Sequence, residues 1–224
     1  MSHDLLNMQQ LPTCFCWTRF GTEAGQTIDS ILARKERERI ENNGLFLWGI
    51  GNAIGPSIRE LVRCNPSPDV LFSSIISKPR SVDVSPGNIA IWTTAKSLDG
   101  ENFQIPIHSV VSSRYDPSKP RVSHYALVCC RDSELRIDTG LPKLMLDAVR
   151  NILTGEQVGA SQTTAVVKVQ EGHCGSARTY KIAFHAKLVM PYLIRLETPI
   201  LVKAEGADWS LALQEFVKNR QKTN

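Results

Sequence analysis

An α+β fold, with a curled sheet that is mostly antiparallel or mixed and is flanked by helices, is what this sequence of 224 residues predicts. Three observations carry that reading. Strand-like runs, alternating or continuously apolar, outnumber the runs with helical spacing. The two kinds do not alternate as they would in a doubly wound parallel fold. Turn signals rich in Gly, Pro, Asp and Ser recur between the strand-like runs. The length suits one domain over 1–224, and 42% hydrophobic with 21% charged residues is ordinary for a globular chain.

Taken in order, Thr13 to Phe20 reads as a buried first strand, because Cys14, Phe15, Cys16, Trp17 and Phe20 leave little polar surface on either face. Thr27 can then cap a helix with Asp29 in its first turn and Ile28, Ile31 and Leu32 as a short apolar stripe, stopped by Asn42-Asn43-Gly44. The charged half of that helix, RKERER from Arg34 to Arg39, reads as a solvated face of mixed sign. Leu45 to Trp48 is a second strand, followed by three spaced glycines and a helix of about two turns opened by Pro56. After the breaker NPSPD come strand candidates at VLFSSIIS, Ile89–Thr94, Ser109–Ser113 and His124–Cys130. Pro142 is expected to open a helix through Leu153 with Met145, Val149, Ile152 and Leu153 on one side. Thr164–Val169, Tyr180–Lys187 and Leu188–Val202 are strand-like, with Pro191 and Pro199 restricted to edges, bulges or breaks. Asp208 can cap a closing helix whose Trp209, Ala212, Leu213, Phe216 and Val217 form a core-facing stripe.

Several function classes fall away on composition. No segment approaches the roughly 18 uninterrupted apolar residues of a membrane span, and the N-terminus lacks the pattern of a secretory leader, so the expected setting is the cytoplasm, with no membrane partner. The six cysteines sit mostly in strand-like runs without a CxxC pair, which reads as reduced, buried thiols and gives no metal set. No cofactor is expected. A net charge of +4 permits an anionic partner without requiring one.

The stretch that points to a site is LFLWGIGNAIGPSIRELVR, Leu45 to Arg63. Gly49, Gly51 and Gly55 let backbone approach a ligand, and the following helix start favours an anion. As a dinucleotide fingerprint it is incomplete: the third glycine falls one position late, and Asp69 lies in a proline-broken turn. A tight connecting turn explains the same residues. The serines lack a nucleophile-elbow context, and the five histidines are scattered without ligand or triad spacing. The aromatic residues suggest something different: Trp17, Trp48 and Trp92, with Arg19 beside the first, could line a pocket for a flat ring whose edge is read by the backbone around Gly49 and Gly51 and by the Asn52 amide. Arg114, Lys119 and Arg121 could then hold phosphates. The competing reading makes the three tryptophans core.

Arg114-Tyr115-Asp116-Pro117-Ser118-Lys119-Pro120-Arg121, followed by a strand, resembles the tyrosine, aspartate-proline and proline-arginine stretch of EVE domains in the PUA-like superfamily, and the preceding VLFSSIISKP is similar to their pocket-walling strand pair. The resemblance covers Asp69 to Cys130, and Val122-Ser123-His124 departs from it where that family usually has a tryptophan. It implies a small curled sheet, a PUA-like barrel, with a pocket for a modified base in nucleic acid. The expected function is therefore a nucleic-acid-binding module that reads a modified or flipped base. The alternative is an enzyme acting on a nucleotide or phosphorylated small molecule at the Gly49–Gly55 loop.

Overall fold

The computed structural model describes residues 11–20, 27–51, 53–73, 87–114, 124–138, 140–141, 143–159, 161–170, 179–204 and 210–223. The chain opens with β1 (Cys14–Arg19), α1 (Ile28–Glu41), β2 (Leu45–Ile50), α2 (Gly55–Cys64) and β3 (Asp69–Ser73). Thr27 caps α1 reciprocally: its hydroxyl accepts from the Ser30 N–H, and Ser30 Oγ accepts from the Thr27 N–H. At the other end Asn43 (φ 53°) and Gly44 (φ 94°) turn the chain into β2, a reversal that glycine makes without steric cost. At ten residues, α2 is longer than the two turns expected.

Strands follow: β4 (Gly87–Trp92), β5 (Thr94–Ser97), β6 (Asn102–Gln104), β7 (Val111–Arg114), β8 (Tyr125–Cys130), β9 (Lys143–Met145), β10 (Val149–Asn151), β11 (Thr164–Val169), β12 (Thr179–Leu196) and β13 (Pro199–Ala204), before α3 (Ser210–Thr223). The helix expected over 142–153 is absent among its described residues. Lys143–Asn151 instead forms two three-residue strands joined by a short 3-10 turn at Leu146–Ala148. The cause is a period-two pattern inside the apparent stripe: Leu144 and Leu146 are buried, whereas Met145 and Leu153 are exposed. The two strands expected over 180–202 are one long strand, β12, plus β13. Pro191 falls in the irregular stretch between Leu188, opposite Cys129, and Leu193, opposite Leu127, and Pro199 opens β13.

Ten of these strands connect through β12, and β13-β4-β7 form a second sheet. Most pairs are antiparallel, but β1 lies parallel to β3, so the larger sheet is mixed. Among the described residues the strands form no closed barrel. Alternation along β1 divides two apolar layers. Cys16 and Phe20 face the layer that holds Ile31 and Leu32 of α1 and Ile58 and Leu61 of α2, while Phe15 and Trp17 face the layer with Leu144, Val149 and Tyr180. A third layer, with Leu47, Ala126, Trp92 and Val111, lies between the two sheets, and a fourth packs Ile89 and Ile91 against Leu213 of α3. In the first layer Phe72 stacks on Phe184 at 4.3 Å, and Trp48 meets Phe72 edge-on at 4.8 Å. No helix among the described residues is long and apolar enough to cross a membrane.

Candidate functional site

The glycine loop begins where β2 runs out. A Cβ on Gly49 would lie 3.1 Å from Val111 Cγ1, and one on Gly55 would lie 3.1 Å from Leu98 Cδ2, so both glycines serve close packing. Gly51 is different: nothing lies within 4 Å of the place its Cβ would take, and its φ is outside the left-handed region. The loop feeds α2, whose N-cap is Ile54 and makes no side-chain hydrogen bond to the helix. Pro56 stands in its first turn and no acidic residue does. Among the described residues, then, no capping side chain meets the first backbone N–H groups of α2, an arrangement that favours an anion.

Ile50 is paired with Tyr125. That register sets the start of β8 beside the glycine loop. Arg114 is placed in β7 opposite Ile89, whereas Asn52, Lys119 and Arg121 lie outside the described residues. His124, just before β8, packs its ring on Trp92 with centroids 4.6 Å apart, and burial lowers its pKa below the ordinary histidine value.

The three tryptophans do not share a pocket. Trp17, fully buried, belongs to the layer with Leu144 and Tyr180; Trp48 to the layer under α1 and α2; and Trp92 to the layer between the sheets. Trp17 and Trp48 lie on opposite sides of β1 because side chains alternate along a strand. They fill core, and the expected pocket walled by all three is corrected accordingly. Arg19 stays with Trp17: its guanidinium lies 5.5 Å from the Trp17 ring centroid and 4.9 Å from that of Tyr180, and Nη2 donates to Tyr180 Oη at 2.7 Å. What remains together near the glycine loop is Gly49, Gly51, Trp92 and His124.

The charged run on α1 is also corrected. Lys35 and Glu38 are buried and joined at 2.6 Å. Glu38 Oε1 accepts the Leu47 N–H at 2.7 Å, and Lys35 Nζ donates to the Val110 carbonyl at 3.0 Å. Among the described residues β2 pairs only with β8, and β7 only with β4, so this ion pair bridges the seam between two sheet edges. Burial depresses the Lys35 pKa, opposed by the charge of Glu38. A signal for this was present: Ile31, Lys35 and Glu38 follow one another at i, i+4 and i+7, continuing the buried stripe in charged residues.

Other polar groups collect around β12. Arg131 bonds Asp138 at 3.0 Å and the His185 carbonyl at 2.8 Å, and Asp69 pairs with Lys187 at 2.7 Å. Burial lowers the His185 pKa, with Arg131 acting in the same sense. Among the described residues no group of three or more His, Cys, Asp or Glu could hold a metal ion, and the five described cysteines are free thiols. Comparison with protein-family models, with curated proteins and with solved structures gave no match to this chain.

Proposed function

We propose that this chain is a nucleic-acid-binding module whose contact surface is the end of β2, where the glycine loop passes into α2. One observation carries the reading: the Ile50–Tyr125 register brings the glycine loop, which leads into α2, beside the start of β8, the strand that the sequence stretch carrying Arg114, Lys119 and Arg121 leads into. Phosphate groups suit both partners, the helix start through its N–H groups and the connection through its guanidinium and ammonium groups. The net charge of +4 supports an anionic partner. The open space over Gly51 supports a finer reading, in which a flipped or modified base is recognised along its edge by backbone groups of the loop. This base reader takes no part of its pocket from Trp17 or Trp48. The likeness of residues 114–121 to EVE domains of the PUA-like superfamily points the same way.

Salt dependence tests it. Replacing Arg114, Lys119 and Arg121 together with alanine should weaken oligonucleotide binding and flatten the dependence of log K on log salt, by about 0.7–0.9 for each phosphate that is no longer neutralised. Gly51→Val should weaken binding and leave that slope unchanged. Absence of binding to single- and double-stranded oligonucleotides, with and without base modification, at low salt would rule the module out.

A further inference from the structure

A second cluster of polar groups, independent of the glycine loop, sits where the parallel pair β1 and β3 ends. Arg19 is the last residue of β1 and stands opposite Ser73, the last of β3. In open sheets ligands gather outside the carboxyl ends of parallel strands, because the connections diverge there and leave space. Tyr180, near the start of β12, completes the group. It is buried, and its ring packs against Trp17 at 5.5 Å.

The hydrogen bonding of these three side chains is one-sided. Trp17 Nε1 is buried and has no acceptor among the described residues. Arg19 Nε is likewise buried without one. Within the same residues, the only hydrogen bond from the Arg19 side chain goes to Tyr180 Oη, and no carboxylate forms an ion pair with it. Because Tyr180 Oη accepts that bond, its own hydrogen remains available to be donated. Buried N–H and O–H groups are nearly always satisfied, so three neighbouring donors without acceptors mark a place made for an acceptor. A charged guanidinium among them makes an anion the fitting one.

We infer that the end of β1 and β3 is an oxyanion site, in which Arg19, with Trp17 Nε1 and the Tyr180 hydroxyl, holds the phosphate or carboxylate group of a small molecule. The two rings, 5.5 Å apart, hold the guanidinium from one side, which leaves the edge that carries Nε, without an acceptor, for a bidentate bond. Phosphate and carboxylate both match that edge, and the ligand carries acceptors only, as the site carries donors only. This site lies on the Trp17 side of β1, across the sheet from Trp48 and the layer under α2.

The indole N–H resonance of Trp17 in a proton–nitrogen correlation spectrum, assigned with Trp17→Phe, reads occupancy directly, since an unbonded indole N–H moves on gaining an acceptor. Inorganic phosphate, acetate and a nucleoside 5′-monophosphate are titrated separately into the full chain. A saturable shift with phosphate and the nucleotide assigns a phosphate ester; one with acetate alone assigns a carboxylate. Arg19→Gln should weaken the effective probe at least about tenfold, as removal of a charge-assisted bidentate bond requires. Arg19→Lys, which keeps the charge and loses the fork, should weaken it too and serves if the glutamine variant does not fold. Tyr180→Phe should weaken binding severalfold. The site is overturned if none of the three probes moves the Trp17 resonance at tens of millimolar, or if the shift is undiminished in the Arg19 variants.

Discussion

Lys35 and Arg19 are both basic side chains drawn into apolar surroundings, and the fold treats them in opposite ways. Lys35 is 4% exposed and every partner it needs is internal: a carboxylate on its own helix and a carbonyl at the start of β7. Arg19 has two aromatic faces, one hydroxyl and no described carboxylate. A buried charge with full internal pairing closes structure, whereas one left short of acceptors keeps interaction capacity in reserve. The seam is thus read as architecture and the end of β1 as a place for a ligand.

The largest effect is expected from breaking the seam. Glu38→Ala removes both the counter-ion of Lys35 and the acceptor of the Leu47 N–H, and should cost about 3–5 kcal/mol in chemical denaturation, the range for a buried pair stripped of one partner. Arg19→Gln, measured the same way without added anion, should change stability by less than about 1 kcal/mol, in line with the modest worth of a cation–π contact that is not fully buried. Equal losses in the two variants would erase the distinction between the regions.

The next test raises pH, because buried thiols line the layer that the seam closes. Cys16 is pushed up to about 12 by burial, from an ordinary 9.0, and burial also raises Cys129 well above that value. In the unfolded chain both thiols lose their protons near the ordinary value, while in the fold they keep them. The folded state therefore binds more protons across this window: the stability is fully present below about pH 9 and is lost as pH rises toward 12, by about 1.4 kcal/mol per unit and thiol. Lys35 acts in the opposite sense, since its depressed pKa makes the unfolded state the better proton binder up to 10.5. Two thiols outweigh one amine, so the denaturation midpoint should fall throughout and steepen above that value. A midpoint that stays level to pH 11 in wild type, or a fall that survives in Cys16→Ala with Cys129→Ala, would contradict this account.

Much of the frame was legible in the sequence. Thr27, the Asn42–Gly44 stop, β1 and β11 were readable because local chemistry decides them: a capping hydroxyl, a left-handed turn, an unbroken apolar run. The segment at 143–151 misled because Met145, Val149, Ile152 and Leu153 fall near helical spacing, whereas it is Leu144, Leu146 and Val149 that pack in the layer with Trp17 and Tyr180, and that packing selected the strands. The parallel neighbour of β1 was not visible, since pairing joins residues more than fifty positions apart and leaves no local trace. The site was legible in parts only. The sequence singles out Trp17, Arg19, Trp48, Gly49, Gly51 and Trp92, but which face of which strand each occupies depends on strand order, and that sorting took the tryptophans apart.

The smallest effect separates two glycines that stand two positions apart at the end of β2. Gly49 belongs to the seam: an added Cβ would press on Val111 Cγ1 at 3.1 Å, a contact between a strand of the larger sheet and one of the smaller. Gly49→Ala should therefore cost about 1 kcal/mol, at the low end of the range for overpacking, because one valine methyl can yield a little. Gly51 meets open space and has no left-handed φ to preserve, so Gly51→Ala should leave stability unchanged or raise it by about 0.4–1 kcal/mol through the stiffer unfolded chain. Thermal melts of the two variants decide the order. If Gly51→Ala is the less stable of the two, the loop is a strained turn and its open flank is no argument for a ligand. If it melts at or above wild type yet binds oligonucleotide more weakly, the glycine is kept for what approaches it from outside, and the contrast between closed seam and open binding surface holds at the scale of a single methyl group.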